Sequence, residues 1–395
     1  MDKKAILIFG VGELQKSIIN QAKQMGLYTV GIDPCEDAVC KNEVDAFEVV
    51  GGQDYEGTLA IARKYNVAAV VTAATDKPLV MMARIAQELK LKFYSEETAI
   101  WSTDKFQMKQ RFMEGRIPCA RGRIIKNAED AKDLDFPLIL KPRDNSGSRG
   151  VILCRNIDEL ATAMNETLQY TRMDNVLVEE FIEGSEYSIE SLHYNGKSEV
   201  IQFTEKRTTP FPYNVELGHV QPANISEEQK SEICAIISKI GEALKFENCP
   251  SHTELKINDR GIFIIETSPR LGGDYITSIL TPLSTNVNME EQLLNIALGN
   301  EVKCTPQDYK YSGVRFFSFE TDNIINAIPE KDKVLSWPYV IDYSFKLDVN
   351  DHVNKITSSL NRYGHIILQT SDRETIDEAF EQYEKVIKDS CFHKL

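Results

Sequence analysis

Two glutamates near the middle of the sequence have a spacing that could hold a divalent cation. Glu254 and Glu266 lie on two apolar stretches that flank the turn-like sequence NDRG at 258–261. A turn of three or five residues centred on Arg260 would set the carboxylates opposite each other, whereas a two-residue turn would set them on opposite faces. Facing carboxylates repel unless a cation lies between them, and Mg²⁺ prefers carboxylate and phosphate oxygens. The spacing therefore predicts either a magnesium site or two unrelated solvated acids.

A second segment has the residue types of a phosphate-binding loop. Residues 136–154 read FPLILKPRDNSGSRGVILC, two apolar strands around a polar loop that contains Gly147 and Gly150. Glycine lets backbone amides approach an anion because it has no Cβ, and Lys141 at the end of the first strand adds a positive charge. The GxxxxGK[ST] pattern of a P-loop is absent. The segment predicts an anion-binding loop, with a plain β-hairpin as the alternative.

Two further cations have positions that favour a ligand. Arg270 follows Glu266 closely and precedes a pair of glycines, so it could clamp a carboxylate or stabilise an oxyanion; the alternative is a surface salt bridge. Lys105 falls in the first turn of a predicted helix capped by Ser102 or Thr103. A cation there opposes the helix dipole, so we expect Lys105 to serve a ligand rather than the helix.

The elements that position these groups begin with alternating strands and helices up to residue 96, which predict a doubly wound parallel sheet. Its first turn, Gly10-Val11-Gly12, and a later acid, Asp33, match part of a dinucleotide-binding pattern, but the third glycine position is Gln15. Two interpretations follow, an NAD-dependent oxidoreductase or a tight structural turn. The proline-rich stretch 208–225 is predicted as a long loop without secondary structure, and residues beyond 300 as α+β without a catalytic cluster.

Composition narrows the class of protein. A chain of 395 residues predicts two to four domains, and its 42% apolar and 27% charged residues are typical of a soluble globular protein. The net charge of −15 argues against a general nucleic-acid or anionic-membrane surface. The N-terminal apolar run is too short for a secretory signal or a membrane span. Eight cysteines without a CxxC pair favour reduced thiols and a cytoplasmic location.

Five stretches, taken in order, resemble the ATP-grasp superfamily, in the branch shared by biotin carboxylase, purine-pathway carboxylate ligases and bacterial L-amino acid ligases. They are DKFQMKQRFMEGRIP, LILKPRDNSGSRGV, VLVEEFIEGSEYSIE, HTELKI and ETSPRLGGD. The resemblance implies an ATP-grasp fold of mixed α/β and α+β class. Its expected units are an N-terminal Rossmann-like parallel-sheet domain (1–96), a small lid lobe with the glycine-rich loop (97–176), a large lobe with the magnesium site (177–300) and a C-terminal α+β part that completes the large lobe (301–395).

The resemblance also implies a set of site residues, which fall into four roles. Those expected at ATP are Lys105, Lys141, Ser146, Gly147, Ser148, Gly150, Glu179, Glu180, Ile182 and Glu186. Those expected at magnesium are Glu254, Glu266 and Ser268. Those expected at the acid or amine substrate are Lys206, His219, Arg270, Gly272 and Gly273. Arg270 and Lys141 are the expected catalytic residues. Ser268 departs from the family, which commonly has asparagine there, and its shorter reach affects the second metal position.

The activity that the resemblance implies is an ADP-forming carboxylate–amine ligase. ATP with Mg²⁺, or Mn²⁺ as a substitute, would convert a small-molecule carboxylate, such as an amino acid, to an acyl phosphate that an amine attacks. The Rossmann-like domain would then help form the substrate site and bind no NAD. Enzymes of this type are often dimers, so a homodimer is one expectation, with no nucleic-acid or membrane partner. The alternatives are an ATP-dependent carboxylase of the biotin carboxylase or purine-pathway type and a non-catalytic nucleotide-binding protein.

Overall fold

The computed structural model describes residues 3–211, 213–307, 309–321 and 323–392. The strands are β1 (Ala5–Phe9), β2 (Tyr28–Asp33), β3 (Ala46–Val49), β4 (Ala69–Val71), β5 (Gly122–Ile125), β6 (Leu138–Lys141), β7 (Ile152–Cys154), β8 (Val176–Glu180), β9 (Ser185–Tyr194), β10 (Lys197–Thr208), β11 (Glu216–Gln221), β12 (Cys249–Asn258), β13 (Gly261–Ser268), β14 (Tyr311–Phe316), β15 (Val340–Phe345) and β16 (Gly364–Thr370).

The α-helices are α1 (Lys16–Gln24), α2 (Tyr55–Lys64), α3 (Leu79–Leu89), α4 (Glu96–Thr103), α5 (Lys105–Glu114), α6 (Ile157–Thr167), α7 (Glu227–Leu244), α8 (Thr281–Thr285), α9 (Met289–Leu298), α10 (Lys331–Leu335) and α11 (Arg373–Phe392). Within the described ranges, every helix is too short or too polar to cross a membrane.

The N-terminal unit is a parallel sheet in the order β3-β2-β1-β4. Ile6, Leu7 and Ile8 of the central strand are fully buried, because helices cover both faces of a parallel sheet. The predicted parallel sheet is confirmed. Its strands end at one edge, where the turns after β1, β2 and β3 face the rest of the molecule.

A small antiparallel sheet follows in the order β5-β8-β6-β7. Strands β6 and β7 form the hairpin expected from residues 136–154, and the polar loop connects them. Strand β8 pairs with both β5 and β6, so the small sheet extends to Glu180. The division of the chain into units at 96, 176 and 300 stays a prediction.

One large sheet carries the remaining strands in the order β13-β12-β9-β10-β11-β14-β16-β15. The three strands beyond residue 300 join it through β11 and β14. The expectation of an unstructured loop over 208–225 is therefore wrong in its second half, where β11 pairs with β10 and β14. Prolines 210 and 222 flank this strand rather than interrupt it, so its backbone donors remain available for pairing.

Strand β13 lies at one end of the large sheet, and the segment before β5 covers part of its outer edge. The Ile264 amide donates to the Pro118 carbonyl over 2.8 Å, and Cys119 forms a parallel bridge with Ile264. The strand that carries Glu266 is thus bonded on both sides at this position.

The junction between α4 and α5 differs from the predicted cap. Ser102 and Thr103 end α4, and Asp104 caps α5 by accepting the Phe106 and Gln107 amides. Asp104 also pairs with Arg143 from the β6–β7 loop. Lys105 is the first residue of α5, consistent with the expectation that it sits at a helix start.

Candidate active site

The hairpin of β12 and β13 brings the two predicted metal ligands opposite each other by a route that the sequence did not reveal. Asn258 pairs with Gly261, so the turn has two residues, which alone would separate the acids. A bulge between Glu254 and Leu255 shifts the register by one residue, and Glu254 pairs with Glu266. Of the two turn lengths left open by the sequence, the shorter one is present, and the carboxylates still face each other because the bulge compensates.

Each of the two acids lies against a lysine. Glu254 Oε1 is 2.7 Å from Lys206 Nζ, and Glu266 accepts a hydrogen bond from Lys105 Nζ. Burial raises the pKa of Glu254, but Lys206 and His252 outweigh it and hold that pKa well below its usual range. For Lys105, burial lowers the pKa, but the nearby carboxylates, above all Glu266, together have the larger effect and raise it. The pKa of Lys105 is therefore above its ordinary value. Both acids are thus held among positive charges.

The donor set fits magnesium that shares its ligands with phosphate. Among the described residues, no group of three or more His, Cys, Asp or Glu side chains could hold a metal ion by itself. Two facing carboxylates leave most of an octahedral shell to water and phosphate oxygens, which is how Mg²⁺ is commonly bound beside a nucleotide. The residues that would hold it are Glu254 and Glu266.

A narrow pocket between the small and large sheets collects most of the residues predicted at ATP. It is lined by Lys105, Lys141, Ser146, Gly147, Ser148, Glu179, Glu180, Ile182 and Glu186. Gly150 is at the base of the loop instead, where a Cβ would lie 2.8 Å from Tyr170 and 3.0 Å from Pro142. Its role in the structure is close packing of the loop.

A buried charge cluster forms the back of this pocket. Glu179 lies 2.6 Å from both Lys141 and Lys109, and all three side chains are almost wholly buried. Burial raises the pKa of Glu179, but the two lysines outweigh it and lower that pKa. Sequence analysis missed Lys109, which is four residues after Lys105 and so one helical turn further along α5.

The loop between β6 and β7 presents backbone to the pocket. Gly147 and Ser148 have positive φ angles of 68° and 55°, and a Cβ built on Gly147 would meet no atom within 4 Å. The Ser146 amide donates to Asn145 Oδ1 over 2.9 Å. Successive residues of this conformation direct their amides to one side, an arrangement that suits an anion.

A wide cleft of about 980 Å³ adjoins the narrow pocket. One wall comes from the ends of the N-terminal strands, and the other from residues 266–270 of the large sheet. The two cavities share five lining residues, Lys105, Asn145, Ser146, Arg149 and Glu266. The loop and Glu266, one of the two predicted metal ligands, therefore lie where the two cavities meet.

Arg270 and Ser268 both face the cleft, and both are held by an acid that the sequence did not single out. Asp76, in the loop after β4, accepts hydrogen bonds from Ser268 Oγ (2.6 Å), Arg270 Nε (2.8 Å) and Arg270 Nη2 (3.2 Å). In this arrangement the Ser268 hydroxyl serves Asp76 rather than the paired glutamates. Asp76 lies far from both partners in sequence, so no local pattern could reveal it.

The residues predicted at the substrate are dispersed. Lys206 lines the narrow pocket beside Glu254. His219 is buried in β11, with Nε2 3.3 Å from Asp274 Oδ2. A Cβ on Gly273 would be 3.7 Å from Ala74 of the N-terminal unit, and one on Gly272 would be 2.8 Å from His252. Arg270 alone of this predicted set lines the cleft.

A further charged group is His252, the first residue of the stretch HTELKI, for which the sequence indicated no role. Its Nδ1 is 2.8 Å from Glu190 Oε1 and its Nε2 is 3.6 Å from Glu254 Oε1. Burial lowers the pKa of His252, but Glu190 and Glu254 outweigh it and raise that pKa to about 9. The imidazole is therefore charged at neutral pH and lines the cleft.

Comparisons with known proteins agree with this architecture. A model of the ATP-grasp domain matches residues 134–278. An alanine–anticapsin ligase from Bacillus amyloliquefaciens is 26% identical over 245 residues, which cover 55% of this chain and 51% of that ligase. The alignment thus spans about half of the length of that relative.

Solved structures match over nearly the whole chain. An L-amino acid ligase from Bacillus licheniformis has a TM-score of 0.84 at 19% identity, with 98% of each chain covered. A phosphoribosylglycinamide synthetase from Anaerococcus prevotii has a TM-score of 0.77 at 22% identity, again with 98% of each chain covered. At these identities the likeness establishes the fold, and the expected ATP-grasp fold is confirmed. Residues 134–278 thus match the ATP-grasp domain, and the chain has the ATP-grasp fold.

Proposed function

We propose that this protein is an ATP-dependent, ADP-forming ligase that activates the carboxylate of an amino acid or similar small molecule and joins it to an amine. One observation carries the proposal. The narrow pocket and the wide cleft meet at Lys105, Glu266 and the β6–β7 loop, with Arg270 on the cleft side. A phosphate chain in the pocket would thus end next to a carboxylate in the cleft, the geometry that phosphoryl transfer requires.

The residues of the chain have separate tasks in this reaction. ATP occupies the pocket, where Lys141 and Lys105 meet its phosphates and the loop amides cover them. Glu254 and Glu266 would hold magnesium, which would neutralise phosphate charge. Arg270 stabilises negative charge on the carboxylate as it becomes an acyl phosphate. The β6–β7 loop keeps water from the acyl phosphate until the amine attacks and phosphate leaves.

The N-terminal glycine turn favours this function over the purine-type carboxylase. A ribonucleotide would bring a phosphate that needs its own anion site, and a glycine turn at a strand end is the usual candidate. Here the Val11 amide donates to Asp33 Oδ2 over 3.0 Å and the Gly12 amide donates to Gln15 Oε1 over 3.2 Å. Both donors are engaged by the chain itself, which supports a small acid without a phosphate.

The same proposal extends to the substrates, the assembly and the cellular location of the protein. The substrates are small molecules, and a homodimer is the expected assembly. All eight cysteines are free thiols, which supports a reducing compartment and a cytoplasmic location.

The test is phosphate release from ATP with pairs of an acid and an amine drawn from a broad amino acid panel, with mass spectrometry of the product. We expect ADP formation that depends on both partners. Release that depends on bicarbonate instead would favour the carboxylase. Nucleotide binding without turnover under any pair would contradict the proposal and favour a non-catalytic nucleotide-binding protein.

A further inference from the structure

The fixed orientation of Arg270 is the observation from which this inference starts. Its Nε and Nη2 donate to the two oxygens of Asp76 over 2.8 and 3.2 Å, and its Nη1 donates to the Leu271 carbonyl over 2.9 Å. A carboxylate that accepts two parallel N–H bonds from a guanidinium fixes the plane of that group. The rotation of Arg270 is therefore set by a residue of the N-terminal unit.

Asp76 is suited to hold this position permanently. Burial raises the pKa of Asp76, but Arg270 and Ser268 outweigh it and lower that pKa to about 2. The carboxylate is therefore ionised throughout the physiological range. Breaking such a partly buried pair by removing one partner leaves the other charge uncompensated, so the pair persists.

The loop that carries Asp76 is itself anchored to the glycine turn. Gln15 is 5% exposed, and its Nε2 donates to the Ala73 carbonyl over 2.8 Å. Gly10, at φ 84°, leaves room for this side chain, since a Cβ there would lie 3.2 Å from Gln15 Oε1. The residue that replaces the third glycine of a dinucleotide turn thus connects the turn to the Asp76 loop.

We propose that Asp76 is a positioning residue that orients Arg270 for acyl phosphate formation, and that Gln15 holds the Asp76 loop in place. The inference rests on the proposed ligase function for its kinetic consequence but not for its structural one. The glycine turn would then act as a support for the reaction centre rather than as a nucleotide site.

The kinetic test traps the acyl phosphate with hydroxylamine. In the trapped reaction a carboxylate oxygen attacks the γ-phosphorus and ADP leaves; the hydroxylamine nitrogen then attacks the acyl carbon, loses a proton and expels phosphate, giving a hydroxamate. We compare Asp76→Asn and Gln15→Ala with the wild type, using the standard amino acids as acids. Asp76→Asn should lower the rate about a hundredfold, the scale for loss of an oriented oxyanion donor, and Gln15→Ala should lower it less.

Nucleotide affinity serves as the discriminating readout. Asp76 and Gln15 do not line the narrow pocket, so the Kd for ATP should stay unchanged in both variants. The matched control is Glu48→Gln, which removes an exposed ion pair with Lys64 in the same N-terminal unit and should leave the hydroxamate rate unchanged. Equal rates in Asp76→Asn and the wild type would overturn the inference, as would a parallel loss of ATP affinity.

A second measurement tests whether Asp76 and Gln15 hold Arg270 in place, and it does not require turnover. Phenylglyoxal modifies free guanidinium groups, and mass spectrometry reports labelling of Arg270 relative to Arg121, whose side chain is 86% exposed. Asp76→Asn and Gln15→Ala should both raise this ratio. An unchanged ratio overturns the inference. Absence of hydroxamate in the wild type with every acid, together with a raised ratio in the variants, rejects the ligase function and retains the positioning.

Discussion

Two glycine-containing segments of this chain look alike in sequence and behave differently in the structure. In the N-terminal turn, the Val11 and Gly12 amides donate to Asp33 and Gln15. In the β6–β7 loop the Ser146 amide likewise donates to a side chain, that of Asn145, but Gly147 has open space around the position of a Cβ, and the loop borders both cavities. A glycine turn can therefore bind an anion only where its amides are not already taken by neighbouring side chains.

The two segments should therefore respond differently to substitution. The N-terminal turn lies in the wall of the wide cleft, whereas the β6–β7 loop borders both cavities and the paired acids line the narrow pocket. Substitutions in the turn should change the free energy of unfolding first, and substitutions around the loop should change turnover or ATP affinity first.

The largest effect should come from the acids that face the loop. Glu254→Gln removes one of two carboxylates at the predicted magnesium site, so kcat should fall about a thousandfold, the upper range for loss of one electrostatic group. The matched control is Asp259→Asn, an exposed acid in the turn of the same hairpin. Steady-state ADP formation measures both. Retained turnover in Glu254→Gln would contradict a role for this carboxylate, and for the pocket that it shares with the β6–β7 loop, in the reaction.

His252, which lies beside Glu254 and Glu190, should also make the stability of the ligand-free protein depend on pH. The folded-state pKa of His252 is about 9, above the ordinary value of a histidine, so its stabilisation is complete below about pH 6.5 and is lost as pH rises through 9. In denaturant melts from pH 6 to 10, the free energy of unfolding of the wild type should fall by about 3 kcal/mol.

The same melts distinguish His252 from other groups. His252→Gln should flatten the pH dependence, whereas His352→Gln, at an exposed position outside both cavities, should retain it. An equal slope in His252→Gln and the wild type would contradict the raised pKa of His252.

The next prediction concerns the N-terminal glycine turn and uses the substitution Gly10→Ala. The φ of 84° and the 3.2 Å approach to Gln15 both oppose a side chain, so the protein should lose about 1 to 2 kcal/mol of stability while its Kd for ATP stays the same. Gly26→Ala, at φ 75° with no atom within 4 Å of a Cβ, supplies the cost of φ alone. A larger loss in Gly10→Ala isolates the contact with Gln15, and equal losses would argue against it.

The smallest effect should come from Gly147→Ala in the open loop. The φ of 68° disfavours alanine, but free space allows the loop to relax, so the KM for ATP should rise about fivefold with little change in Tm. Gly196→Ala in the β9–β10 turn has a similar φ of 70° and similar space and should leave the KM for ATP unchanged. A drop in Tm without a change in KM would assign the loop a structural role like that of the turn.

Much of the fold could be predicted because the signals were local. The alternation of strands and helices before residue 96 indicated the parallel sheet. Asn-Gly is a dipeptide that favours a type I′ hairpin, and Asn195-Gly196 forms the β9–β10 turn, where both residues have positive φ. Strand β11 was missed because its short sequence ELGHVQ lies between prolines; it pairs with the preceding strand β10 and with the distant strand β14.

The site was predictable in its residue types and less so in its geometry. The facing of Glu254 and Glu266 depends on a bulge that the sequence ELKINDRGIFIIE does not mark. Asp76, which orients Arg270, is separated from it by 194 positions along the chain. Only folding brings such groups together, so pairing between units stays beyond what local patterns indicate.

The covered edge of β13 has a consequence for solubility. A strand at the end of a sheet offers unpaired amides and carbonyls to strands of other molecules and so promotes aggregation. Because Ile264 already bonds to Pro118, a foreign strand cannot add at that position without displacing the segment that leads into the small sheet. The part of β13 next to Glu266 is thereby shielded from intermolecular β-pairing.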